Sequence, residues 1–336
     1  MNHLLSAALI IAGLAIPQTS NAQFSEENKV KSQAFKHLDF GVTAGTTGIG
    51  FDLATPICNF AQVRAGFSYM PKIKPTMHFG VQVGDDPATS QSKFDKMSGM
   101  LESFTGNEID SRIDMIGEPT FYNFNLLVDI FPLKNKNWHI SAGFYYGPSS
   151  IAKAYNTTED MPSLIAVCMY NRMYEFFTES RYWDEPFIGN ELMDPEIGMA
   201  LQERFENYGR MGIYLGDYTK DIYDIDGNII HKKGDPYIME PDENNMAKAR
   251  FKVNRFKPYL GFGYNGKLLK NNDRYKIGFD CGIMFWGGKP SVITHDGTDL
   301  IKDVEDVRGK VGDYVDVAKK FEVFPTINLR ISKRLF

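Results

Sequence analysis

The sequence predicts an all-β fold, an eight-stranded antiparallel up-and-down transmembrane β-barrel with long, partly helical extracellular loops. Three observations predict it. Eight stretches alternate apolar and polar residues with period two, the signature of half-buried strands. Their connections alternate between short and long. The last of these strands, Ile327-Asn-Leu-Arg-Ile-Ser-Lys-Arg-Leu-Phe336, ends the sequence with a terminal aromatic.

The strands follow in order. The first places Leu38, Phe40, Val42 and Ala44 against Asp39, Gly41 and Thr43. The second sets Ile49, Phe51 and Leu53 against Gly50, Asp52 and Ala54. The third runs from Ala61 to Tyr69, the fourth from Tyr122 to Ile130, and the fifth from Trp138 to Tyr146. The sixth lies around Lys257 to Tyr264, the seventh spans Tyr275 to Phe285, and the eighth carries Ile327, Leu329 and Ile331 on its apolar face. Phe336 is out of phase with that face, which predicts Leu335 as its continuation.

The connections carry more weight than any single strand. Links at 56–59, 132–137 and 265–274 are short, whereas 70–120, 147–256 and 287–324 are long. Successive connections of an up-and-down barrel emerge at opposite ends, so short turns at one end and long loops at the other are expected of an outer-membrane barrel, with the short turns periplasmic. Aromatic residues make up 13% of the chain and glycine contributes 30 residues, yet mean hydropathy is −0.30. Strands apolar only on alternate residues give that combination. Tyr69, Tyr122, Phe131, Trp138, Tyr146, Tyr264, Tyr275 and Phe285 stand at strand ends as an interfacial girdle.

Residues 1–22 read as an export signal: an apolar run from Leu4 to Ile16, Pro17, then Ser20-Asn-Ala22 as a small-residue cleavage site. The organisation expected is signal peptide 1–22, N-terminal periplasmic segment 23–36 and barrel 37–336. The formal charge of −5 gives no reason to expect nucleic acid. Cys58, Cys168 and Cys281 are too dispersed for a metal site or a disulfide framework.

The segments Asp39-Phe-Gly-Val-Thr-Ala-Gly, Val63-Arg-Ala-Gly-Phe-Ser-Tyr, Lys257-Pro-Tyr-Leu-Gly-Phe-Gly-Tyr and Asn328-Leu-Arg-Ile-Ser-Lys-Arg-Leu-Phe resemble the small outer-membrane β-barrel superfamily of Gram-negative bacteria. That group includes the outer-membrane protein A-like and opacity-like barrels. The similarity covers the strands only and singles out no functional subfamily. It implies residence in the cell outer membrane, with the lipid bilayer and, through the C-terminal strand, the barrel-assembly machinery as partners.

The inward faces collect Asp39, Asp52, Arg64, Asp129, Lys276, Asp280 and Arg330. The interior of an eight-stranded barrel is only wide enough for side chains, so these charges should pair into a network that fills the lumen. The alternative is a narrow polar path. His139 and Ser141 share this inward face near a short turn, where a structural histidine is expected.

The long loops contain helical patterns. Ser92 to Phe104 places Phe94, Met97, Leu101 and Phe104 on one face. Ser163 to Trp183 is rich in Leu, Val, Met and Phe, and Pro195 to Phe205 forms a third helix. Tyr218 to Tyr237 reads as a hairpin about Asp226-Gly227. Two further barrel strands within 208–255, for a total of ten, are the competing topology. Asp224-Ile-Asp226-Gly-Asn228 lacks the ligands of a calcium loop, and neither a metal nor another cofactor is expected. No nucleophile, metalloprotease or phosphate-loop motif is present. The functional expectation is a non-enzymatic protein with a surface binding or structural role. A narrow pore or uptake channel for small solutes is the alternative.

Overall fold

A computed structural model describes residues 35–178, 186–188, 191–192, 195–269, 272–307, 309–320 and 322–336. Eight of its strands close a barrel. Numbered along the chain they are β1 (Asp39–Gly45), β2 (Gly48–Cys58), β3 (Ala61–Tyr69), β6 (Tyr122–Ile130), β7 (Trp138–Tyr146), β16 (Phe256–Leu269), β17 (Asn272–Phe285) and β20 (Val323–Arg334). Each pairs antiparallel with its neighbour in that order, and β20 closes onto β1 through the register Val42↔Ile331. The barrel therefore has eight strands and not ten. Strands β2, β16 and β17 are longer than expected, leaving only residues 59–60 and 270–271 between the paired strands.

Side chains alternate strictly about the wall. On β6, Tyr122, Phe124, Leu126, Val128 and Ile130 are exposed, while Asn123, Asn125, Leu127 and Asp129 are buried. Nine residues at about 3.3 Å each, tilted near 40°, give an apolar wall about 23 Å tall, close to the belt of about 25 Å on a transmembrane barrel. The strand-end rings pair across it: Tyr69 is opposite Tyr122, and Trp138 stacks edge-on with Tyr264 at 5.1 Å. Leu335 is exposed in phase with Ile327, Leu329 and Ile331. Phe336 lies beyond the end of the strand, which is why its phase differs.

The long connections are not irregular loops. They carry β4 (Thr76–Val83), β5 (Arg112–Pro119), β8 (Ser150–Asn156), β11 (Met211–Tyr218), β14 (Pro236–Met239), β15 (Lys248–Lys252), β18 (Ser291–Thr294) and the short β19 (Val304–Glu305). These make one second sheet in the order β14-β11-β4-β5-β8-β15-β18, with β19 on β11. Two small hairpins, β9 (Pro186–Ile188) with β10 (Glu191–Leu192) and β12 (Ile222–Tyr223) with β13 (Ile229–His231), complete the set. The order β4-β5-β8-β15-β18 repeats the barrel order β3-β6-β7-β16-β17. Five barrel strands thus continue past the rim into a cap. The ladder breaks at Pro71 and Pro75, Pro119, Pro148 and Gly287-Gly-Lys-Pro290, where proline withholds a donor and fixes φ.

Four helices accompany this sheet: α1 (Pro87–Thr105), α2 (Met161–Thr178), α3 (Pro195–Tyr208) and α4 (Gly309–Lys320). The first starts where the Asp86 carboxylate accepts from the Ala88 N–H at 2.9 Å with Pro87 behind it, and stops at Gly106 with φ 70°. Phe94, Met97 and Leu101 are buried, but Phe104 is exposed, because the apolar stripe ends one turn before the helix does. On α2, Leu164, Val167, Tyr170 and Phe177 are buried; Trp183, expected at its end, lies outside the described residues. Together with Val83, Ile113, Met211, Ile213 and Val304 these form a dry core separate from the barrel's own.

Candidate functional site

All seven charges singled out in the sequence lie inside the barrel, in three clusters. At the turn end, Asp39 faces Lys276 at 3.7 Å and Arg334 at 3.4 Å. In a second cluster Arg330 forks onto Asp52, with Nε donating to Oδ2 at 2.9 Å and Nη2 to Oδ1 at 2.5 Å. Gly41 stands beside this pair because a Cβ there would lie 2.8 Å from both the guanidinium and the carboxylate. The third cluster centres on Arg64, which donates to Asp280 at 2.8 Å and to Asp129 at 3.1 Å.

Neutral side chains complete that third cluster. Gln62 and the Ser141 hydroxyl donate to Asp129 at 2.8 and 2.6 Å, and His139 Nε2 meets Asp280 at 2.8 Å. An ionised carboxylate only accepts, so Nε2 carries the proton, leaving Nδ1 toward the Asn265 amide at 3.4 Å. Gly263 leaves room for the imidazole, since a Cβ would approach it to 2.6 Å. Serine, histidine and two aspartates thus meet in the lumen, but each of the first two bonds to its own carboxylate. The serine hydroxyl donates to Asp129, not to the imidazole, and accepts from Arg64 Nη2 at 3.3 Å.

Above the ionic clusters the lumen turns apolar. Phe121, Leu127, Tyr145, Tyr259 and Met284 form a buried plug, with the Tyr145 and Tyr259 rings 5.3 Å apart. Lys257 is fully buried at its upper edge, donating to the Asn123 side chain at 3.2 Å and to the Arg255 carbonyl at 3.3 Å. Its ammonium lies 5.8 Å from the Phe121 ring centre. The sequence reading missed Lys257 as an inward residue. The signal was there: it stands two positions before Tyr259, on the same phase. A space of about 20 Å³ inside the barrel, among Asp52, Arg64, Tyr145 and Tyr259, has room for about one water.

A second, larger space lies between the plug and the core of the cap. This cavity of about 660 Å³ draws its walls from every strand of the second sheet's main path, among them Met77, Met115, Ala154, Leu215, Met239 and Phe251. Trp286 and Phe324 line it next to the barrel, their rings stacked 5.8 Å apart. The indole N–H of Trp286, on a residue 7% exposed, has no acceptor. Nearby, Tyr237 shares a hydrogen bond with Thr294 at 2.8 Å and donates to Asp296 at 2.7 Å. Burial pushes the Tyr237 phenol well above its ordinary range.

The remaining motifs are self-satisfied. The Asp224 carboxylate accepts from the backbone of Asp226 and Asn228 and from the Asn228 amide, closing the loop on itself. No cluster of metal-ligating side chains occurs among the described residues. The three cysteines are unpaired.

The fold and lumen define a closed eight-stranded antiparallel barrel with an apolar outer wall. No protein-family model matches the chain, and no curated protein matches it. Similar solved structures are CarO2 and CarO of Acinetobacter baumannii, each 13% identical, with TM-scores of 0.35 and 0.34. They cover 90% and 91% of this chain and 99% of their own. A major outer membrane protein from Thermus thermophilus is 12% identical at TM-score 0.26, covering 89% of this chain and 99% of its own. Likeness this distant assigns neither family nor activity.

Proposed function

We propose that the protein resides in the outer membrane as a sealed barrel, anchoring a folded cap that performs a non-enzymatic binding role at the cell surface. The observation that carries this reading is the filled lumen: paired buried charges and an aromatic plug, with a space of about 20 Å³ among Asp52, Arg64, Tyr145 and Tyr259 that has room for about one water. The apolar wall about 23 Å tall supports the membrane setting. The lumen carboxylates Asp39, Asp52, Asp129 and Asp280 are each paired with a cation inside the barrel. The cap, by contrast, holds a large apolar cavity and a core of its own.

Reconstitution of the full-length protein into planar lipid bilayers tests the reading. Silent bilayers at protein loads where a porin control conducts are expected. Reproducible unitary conductance steps would replace the sealed barrel with a pore.

A further inference from the structure

We infer that the cap cavity is a binding site for a single-chain fatty acid, with the carboxylate oxygen accepting from the indole N–H of Trp286. This deepens the reading that the cap is the binding part. Three observations converge on it. The volume of about 660 Å³ lies within the range of about 300–1,000 Å³ typical of small-molecule sites. The strands present methionine, leucine, phenylalanine and alanine to it, so an acyl chain meets no polar group along most of the wall. Set into that wall is one residue, Trp286, 93% buried by its 7% exposure, whose donor has no partner.

A buried N–H without an acceptor is a defect in a finished core and an anchor in a binding site. Of the other polar side chains at the wall, Thr294 already bonds to Tyr237 and Asp296, Glu118 to Lys72 and Tyr155, and Lys153 and Arg250 add cations that favour an anionic head group. The Trp286 N–H is the buried donor left for a carboxylate oxygen. The stacked Trp286 and Phe324 rings, with Phe121 5.8 Å beyond Phe324, separate the site from the lumen. A ligand in the cavity would therefore be held, not conducted onward through the barrel.

The test uses the full-length protein in lipid nanodiscs, since detergent would compete for the site. Trp138→Phe and Trp183→Phe leave Trp286 as the single indole. Titration with 9,10-dibromostearate should quench its fluorescence saturably, and oleate should reverse the quenching in competition. Lysophosphatidylcholine carrying the same chain should compete at least tenfold more weakly.

Trp286→Phe keeps the stacked ring and removes the donor. In the otherwise wild-type protein it should weaken binding of radiolabelled oleate about tenfold or more, as loss of a hydrogen bond to a charged group does. Ala154→Trp, filling the cavity, should abolish binding while the heat-shifted electrophoretic mobility of the folded barrel stays unchanged. Linear quenching without competition, or wild-type oleate binding by a folded Ala154→Trp variant, would overturn the site. Failure here with silent bilayers leaves the cap as the binding part for other chemistry. Failure here with conductance removes both readings.

Discussion

Five strands run from the barrel into the cap, yet the hydrophobic faces of the two regions are inverted. On β6 the apolar residues Phe124, Leu126 and Val128 point outward, and Asn123, Asn125 and Asp129 point in. On β5, immediately before it, Ile113 and Met115 are buried inside the cap, whereas Arg112 and Asp114 pair on the outer face, with His78 2.5 Å from Asp114. The inward phase runs on from 113 through 121 to 129 without a slipped residue. What changes is the chemistry on each phase. The β15–β16 and β17–β18 junctions behave alike: Phe251 and Val292 face the cap interior, and Lys257 and Asp280 face the lumen. Each region buries whatever its surroundings reject. Lipid outside the barrel requires an apolar wall and leaves polar groups for the lumen. Water outside the cap requires the reverse. The junction marks the edge of the bilayer in the proposed setting.

The largest expected effect comes from breaking the lumen. Arg64→Ala leaves Asp129 and Asp280 facing one another in a buried cluster without their shared cation. It should cost about 3–5 kcal/mol, read as a lowered urea midpoint for barrel unfolding in lipid vesicles. A midpoint within about 0.5 kcal/mol of wild type would show that the ionic clusters contribute no net stability to the barrel.

Damage to the cap core should be as large locally and absent from the barrel. Leu164 is completely buried on α2, so Leu164→Ala should destabilise the cap by about 2–5 kcal/mol. Faster proteolysis within 70–120 and 147–256 is the readout, with barrel mobility on electrophoresis unaltered. Simultaneous loss of barrel resistance would mean that the two cores fold as one.

The smallest effect is acid loosening of the cap. Burial works against the charged forms of Asp242 and Asp296. Hydrogen bonds outweigh it: Lys248 and backbone amides hold the first below the usual carboxylate range, and Thr294, Thr298 and Tyr237 hold the second. A folded value below the unfolded one, about 3.9, adds stability that is fully present above pH 4. It is lost as pH falls through the lower folded value. Amide exchange across 236–300 should therefore accelerate below about pH 4 before exchange in the barrel does. Barrel amides opening first would invert the comparison.

How much was legible depended on which solvent each region faces. Period-two alternation located every barrel strand, and inward charges such as Arg64, Asp129 and Asp280 followed from phase alone. The partners Gln62 and Lys257 were on the same phases, but nothing local distinguishes an inward glutamine or lysine that completes a network from one on a surface. Strand β4 was missed although Met77, Phe79, Val81 and Val83 alternate. It follows prolines at 71 and 75 and pairs with β11, more than 120 residues away, so no local signal gave it a neighbour.

By itself, then, the sequence determined the positions of the eight strands it located, the parity of the connections and the apolar outer wall, because these are properties of periodicity and spacing along one chain. That the barrel has eight strands and not ten was settled by the pairing. Only the tertiary structure decided that the long connections assemble into a second sheet, that its interior is the dry face, and that a cavity remains between two cores. Those outcomes rest on pairings between distant segments and on space left unfilled among them, and neither is written in any local pattern of residues.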